Sequence, residues 1–100
     1  MKIAIATLGR NVEAEISPQA GRAPYYLIFE GDELLEVWSN LFARGGGGAG
    51  FSVAKVMGDK GVGLLVARQL GDKMKNALSN YNIDFKETDE RLIKDILTKL

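Results

Sequence analysis

Apolar residues recur along this chain at two spacings, one suited to strands and one to helices. Residues 2–8, Lys2-Ile3-Ala4-Ile5-Ala6-Thr7-Leu8, are almost continuously apolar, the pattern of a strand covered on both faces. Gly9-Arg10-Asn11 breaks the run. Over residues 12–16, Val12, Ala14 and Ile16 alternate with Glu13 and Glu15, which predicts a short half-exposed strand or an extended loop. Ser17-Pro18-Gln19-Ala20-Gly21 is turn-rich. Residues 25–30 and 33–39 read as two further strands. Gly31-Asp32 between them predicts a two-residue hairpin of type II′, because glycine comes first.

The second half changes period. After a loop over residues 40–50, a helix is predicted from about Phe51, with Val53, Ala54, Val56 and Met57 on its apolar face and residues 58–61 ending it. Residues 62–67 form a buried-type strand. A second helix is expected from about Asp72, with Met74, Ala77, Leu78 and Tyr81 on one side. Residues 83–86 make a short final strand. Thr88 is placed to cap a last helix, with Asp89 and Glu90 in its first turn, and Leu92, Ile93, Ile96, Leu97 and Leu100 form its apolar stripe. Two α-to-β alternations call for parallel strands with right-handed crossovers, whereas the hairpin supplies one antiparallel strand. A mixed five-stranded α/β sheet of order 3-2-1-4-5, flanked by about three helices, satisfies both. That is a ribonuclease-H-like arrangement within a single domain spanning residues 1–100.

Composition narrows the function classes. The 100 residues suit one domain, and 46% hydrophobic with 26% charged residues excludes a disordered chain. Thirteen basic and thirteen acidic residues balance, so the basic excess of a nucleic-acid binder is missing and that partner is not expected. The chain has no cysteine and no histidine. Disulfides, thiolate or imidazole metal ligands, cysteine nucleophiles and histidine general bases are therefore excluded. The opening apolar run is too short for a signal-peptide core, and no later run reaches membrane-spanning length. A cytoplasmic protein without a membrane partner is expected, as monomer or homodimer.

In the predicted sheet, the ends of strands one, three, four and five share an edge with the start of strand two. Open α/β sheets bind ligands at the carboxyl ends of their strands. That edge gathers Arg10, Arg22, Arg44, Arg68 and Lys73 against Asp72 and Asp89, with helix N-termini beginning near Gly50, Asp72 and Asp89. An anionic ligand would suit it. The expected binding residues are Gly21, Arg22 and Ala23, then Gly45, Gly46, Gly47, Gly48 and Gly50, then Arg68, Gly71 and Asp72.

The glycine run formally satisfies G-x-G-x-x-G, but it follows a hairpin, and Arg68 and Gln69 stand near the position where a dinucleotide fold needs an acid. As a P-loop it fails because Phe51 occupies the lysine position. A metal-dependent nuclease would need carboxylates on the first strand, which has none. Ser17, Ser39, Ser52 and Ser79 have no histidine to activate them.

Lys2-Ile3-Ala4-Ile5-Ala6-Thr7, Gly21-Arg22-Ala23-Pro24-Tyr25-Tyr26, and Gly48-Ala49-Gly50 before a helix are similar to the dinitrogenase iron–molybdenum cofactor-binding family. Residues 62–67, Gly71 and Asn76-Ala77-Leu78 fit its second half. The resemblance implies a ribonuclease-H-like domain that binds or carries an anionic cofactor, an iron–molybdenum-type cluster or its precursor, and is not an enzyme. The alternatives are a protein-interaction module of cofactor assembly and a carboxylate-metal hydrolase. Where that family often reads His-Phe-Gly-Arg, this chain has Gln19-Ala20-Gly21-Arg22. Any cluster would be held by backbone amides, arginines, carboxylates or methionine.

Overall fold

Side chains of the first strand, β1 (Lys2–Thr7), alternate between two cores. Ala4 and Ala6 face one side, and Ile3 and Ile5 face the other. Each face must then be covered by helix, because apolar surface left in water costs about 25 cal/mol per Å². A computed structural model describes residues 1–44 and 48–100.

In chain order the further elements are β2 (Tyr25–Glu30), β3 (Glu33–Ser39), α1 (Ala49–Asp59), β4 (Val62–Ala67), α2 (Asp72–Asn80), β5 (Asp84–Glu87) and α3 (Ile93–Leu97). The five strands form one open mixed sheet of order β3-β2-β1-β4-β5. β1 pairs antiparallel with β2 and parallel with β4, β2 pairs antiparallel with β3, and β4 pairs parallel with β5. The strand order expected from the sequence is the order observed.

Glu30 pairs with Glu33 across the Gly31-Asp32 turn. Gly31 has φ +61° and Asp32 is not among the positive-φ residues, which fits a II′ turn and excludes I′. Further along, the register shifts between Ile28, opposite Glu36, and Phe29, opposite Leu34. Leu35 is the extra residue of this bulge and stands exposed.

Helices α1 and α2 cover the face carrying Ala4, Ala6, Tyr26, Leu65 and Ala67, through Val53, Ala54, Met57, Met74 and Leu78. The alanines of β1 keep that side of the sheet low beneath the helices. The opposite face carries Ile5, Leu27, Phe29 and Val66 and is closed by Ile16, Ile93 and Ile96. No helix among the described residues is long and apolar enough to cross a membrane.

The last helix departs from expectation. It begins at Ile93, with Leu92 as an extended N-cap residue at φ −108°, ψ 139°. Arg91 O accepts from Ile16 N at 2.8 Å, and Glu15 forms a bridge with Leu92. The backbone there is committed to pairing with residues 15–16 and cannot coil. Thr88 Oγ1 instead accepts from Glu90 N at 3.1 Å, closing a local turn. The same pairing explains residues 12–16. Only Glu15 and Ile16 form bridges, while Asn11 closes a turn by accepting from Ala14 N at 2.9 Å. α1 starts two residues earlier than predicted, at Ala49.

Candidate functional site

Residues 17–23 lead into β2 and are fixed on several sides. Ser17 N donates to Ala6 O at 2.8 Å, and Ser17 Oγ donates to Gln19 O at 2.9 Å. Ala20 N reaches across to Gln69 O at 3.1 Å, tying this turn to the segment after β4. The Tyr26 hydroxyl, fully buried in β2, donates to Ala20 O, and burial pushes its pKa well above the usual tyrosine range. Asn40, just beyond β3, donates from Nδ2 to Gly21 O at 3.1 Å and to Ala23 O at 2.8 Å.

The segment between β4 and α2 has its own anchor. Leu70 N donates to Glu87 Oε2 at 2.9 Å, and Lys75 Nζ lies 3.4 Å from Glu87 Oε1. The backbone hydrogen bond first, and then Lys75, hold the Glu87 carboxyl below its ordinary value.

Between these segments lies an open cleft of about 500 Å³ at the carboxyl edge of β1 and β4. Its walls are the N-terminal ends of α1 and α2. Gly48, Ala49, Gly50 and Phe51 come from the first, and Gly71, Lys73 and Met74 from the second; Gln19, Ala20, Gly21, Arg22 and Gln69 complete the lining. The N-cap residues are Gly48, at φ 92°, and Gly71, and neither helix has a side-chain cap. An uncapped helix start presents unsatisfied N–H groups and the positive end of the helix dipole. Arg22 and Lys73 add positive charge, and no lining residue is a carboxylate. Arg22 Nη1 also donates to Ala43 O at 3.4 Å.

Gly50 belongs to the walls for a packing reason. A Cβ there would stand 2.8 Å from Met74 Cβ. The missing side chain lets α1 and α2 close together at their N-terminal ends, and so brings the two helix starts into one cleft.

The residues expected from sequence are placed as follows. Gly21, Arg22, Gly48, Gly50 and Gly71 line the cleft. Gly45, Gly46 and Gly47 lie outside the described residues. Ala23 is fully buried behind the lining. Asp72 opens α2 but is exposed and does not line the cleft. Arg68 follows β4, where Leu65 and Ala67 face the α1–α2 side and Val66 the other. Arg68 itself lies past the end of the strand and does not line the cleft, and its Nε is buried with no hydrogen-bond partner among the described residues. Arg10 lies over the Tyr25 ring, 5.4 Å from its centroid, and bonds Ser39 Oγ at 3.4 Å. Of the three helices expected to aim N-termini at this edge, α1 and α2 do so.

Sequence reasoning missed Asn40, Tyr26 and Glu87, which build the site without lining it. A tyrosine inside an apolar strand carries one signal, since a buried hydroxyl needs a partner. Asn40 and Glu87 each follow or end a strand, and nothing local distinguishes them from ordinary turn residues.

Among the described residues no three of His, Cys, Asp and Glu are grouped to hold a metal ion, and the chain has no histidine or cysteine. The lining therefore does not fit an iron-containing cluster ligated directly by thiolate, imidazole or carboxylate. It fits an anion held by N–H groups and cations.

No relative matches among functionally curated proteins. Among solved structures, the fold is similar to the apo form of the orange protein from Desulfovibrio gigas, at 22% identity and a TM-score of 0.90, covering 98% of this chain and 84% of that one. It is also similar to a putative NifB protein from Thermotoga, at 22% identity and a TM-score of 0.82, covering 97% of this chain and 84% of that one. At such identities the likeness establishes the fold. The sequence itself matches the family described as dinitrogenase iron-molybdenum cofactor over residues 1–100. The chain belongs to the dinitrogenase iron-molybdenum cofactor family.

Proposed function

We propose that this chain is a non-enzymatic binding domain that carries an anionic cofactor, or a precursor of one, in the cleft between the starts of α1 and α2. One observation carries the reading: two uncapped helix N-termini, Arg22 and Lys73 meet in a cleft without a carboxylate in its lining. Aligned N–H groups at helix starts are favourable anion sites, and each helix end contributes about 0.3–1 kcal/mol to a nearby negative charge. The family's description supports a cofactor of the nitrogenase type as the ligand class. Because direct ligation through thiolate, imidazole or carboxylate does not fit, the ligand would be held by hydrogen bonds and charge, with its own metal–ligand shell largely intact.

The test is NMR titration of the isotope-labelled protein with molybdate, a nitrogenase-type iron–sulfur cluster and a nucleotide in separate experiments. Saturable shifts at Gly21, Arg22, Gly48, Gly50 and Gly71 are expected for at least one of them. Shifts for none, together with protein purified anaerobically without iron or molybdenum, would overturn the reading.

A further inference from the structure

We propose that Asn40 is the positioning residue of this cleft, the side chain that holds the Arg22 turn and residues 41–44 just after β3 in one geometry; the inference rests on the binding role given above. Asn40 is 8% exposed and uses its whole amide. Nδ2 donates to Gly21 O at 3.1 Å and Ala23 O at 2.8 Å, while Oδ1 accepts from Phe42 N at 3.0 Å. Its backbone N donates to Pro24 O at 2.9 Å. One residue therefore joins the end of β3, the turn before β2, and the turn that follows β3 at Phe42.

The consequence for an anion is electrostatic. Carbonyl oxygens repel negative charge; residues 20 and 21, which line the cleft, each carry one, as does Ala23 behind the lining. The Tyr26 hydroxyl takes the first, and Asn40 takes the other two. The C=O and N–H of a trans peptide point in opposite directions, and the structure contains no cis peptide among the described residues. Fixing Gly21 O at Asn40 therefore turns the Arg22 N–H away from Asn40. Fixing Ala20 O at Tyr26 turns the Gly21 N–H away from that hydroxyl. The Oδ1 contact to Phe42 and the Arg22 contact to Ala43 O hold the facing segment to the same turn.

Asn40→Ala removes all three side-chain bonds. Asn40→Asp keeps an acceptor for Phe42 N but sets an oxygen against the two carbonyls. Binding of molybdate, of a nitrogenase-type iron–sulfur cluster and of a nucleotide is measured by NMR titration, beside backbone shifts and amide hydrogen exchange. Ile96→Val, in the core on the opposite face, serves as a control for general loss of stability. Both Asn40 variants are expected to keep wild-type backbone shifts in β1 and β4, to move the shifts of residues 20–23 and 41–44, and to weaken binding about tenfold, the ratio for about 1.4 kcal/mol. Ile96→Val is expected to bind as the wild type does. If Asn40→Ala fails to fold, Asn40→Asp carries the test.

Wild-type binding in the Asn40 variants, or equal weakening in Ile96→Val, would overturn the proposal. If the wild type binds none of the three and is purified anaerobically without iron or molybdenum, the cleft reading fails on its own. Asn40 is then judged by the shifts alone: unchanged shifts at residues 20–23 overturn it, and shifts confined to residues 20–23 and 41–44 sustain it.

Discussion

Gly50→Ala tests whether close approach of α1 and α2 builds the cleft. The new Cβ would lie 2.8 Å from Met74 Cβ, 3.2 Å from its Cγ and 3.3 Å from its Cα. Carbon atoms rest at about 3.5–4.0 Å, so the helices must separate by about 1 Å at this end. Overpacking of this kind costs about 1–3 kcal/mol, and the helix gains back up to about 1 kcal/mol when alanine replaces glycine. The expected net loss is about 1–2 kcal/mol. For a domain of this size that lowers Tm by about 4–8 °C per kcal/mol. Met74→Ala does not rescue the variant, because the nearest atom is the Cβ that alanine keeps. Two controls separate packing from backbone effects. Gly71 has φ −73° and open space around it, so Gly71→Ala meets no clash and should cost only the N-cap preference for glycine over alanine, about 1 kcal/mol or less. Gly48 also has open space but a φ of 92°, so Gly48→Ala should cost about 1–2 kcal/mol through backbone strain alone. Thermal and urea unfolding followed by circular dichroism read all three. A Gly50→Ala protein as stable as the wild type would refute the packing argument.

Arg22→Ala and Lys73→Ala should each weaken anion binding by about 1 kcal/mol, near fivefold, with a shallower salt dependence in calorimetric titrations and little change in Tm. Asp72→Asn should act with opposite signs on two readouts. Removing a carboxylate from the first turn of α2 lowers stability by about 0.3–1 kcal/mol, yet tightens anion binding nearby. Glu87 gives a pH dependence. Its folded pKa lies below the ordinary value, so its stabilisation is complete above the ordinary carboxyl range, near 4.3, and is lost as pH falls through the lower folded value. The Leu70 amide shift should report that step, and Glu87→Gln should abolish it.

How far the sequence could be read depended on whether a signal was local. The period-2 and period-3.6 patterns located all five strands and the first two helices, and connection logic then fixed their order, because few topologies satisfy both a hairpin and two crossovers. The third helix was misplaced because Thr88, Asp89 and Glu90 are good capping residues taken alone. What stopped them is the pairing of residues 15–16 with residues 91–92, a contact far apart in sequence that propensity does not sense. The site divides in the same way. Gly21, Arg22, Gly48, Gly50 and Gly71 sit where chain direction alone brings strand and helix ends together. Arg68 was assigned by its position just past β4, which does not say where its side chain goes; its Nε is buried and it does not line the cleft. Asn40 could not be found from sequence, since its importance lies in what its two amide hydrogens reach.

The chemistry of the lining also bears on what kind of carrier this would be. Coordinate bonds from cysteine or histidine would hold a cluster tightly and bind its release to ligand exchange and protonation. This cleft can offer neither. Attraction from helix N-termini, Arg22 and Lys73 is Coulombic and hydrogen-bonded, so it weakens with salt and leaves the metal's own ligands in place. A ligand held so can be passed on without chemistry at the protein, by competition from a more strongly positive or ligating partner. The walls that hold it are mostly backbone, set by Gly50, Asn40 and Tyr26. Selectivity would then follow from the shape and charge of the whole anion more than from the identity of any metal within it.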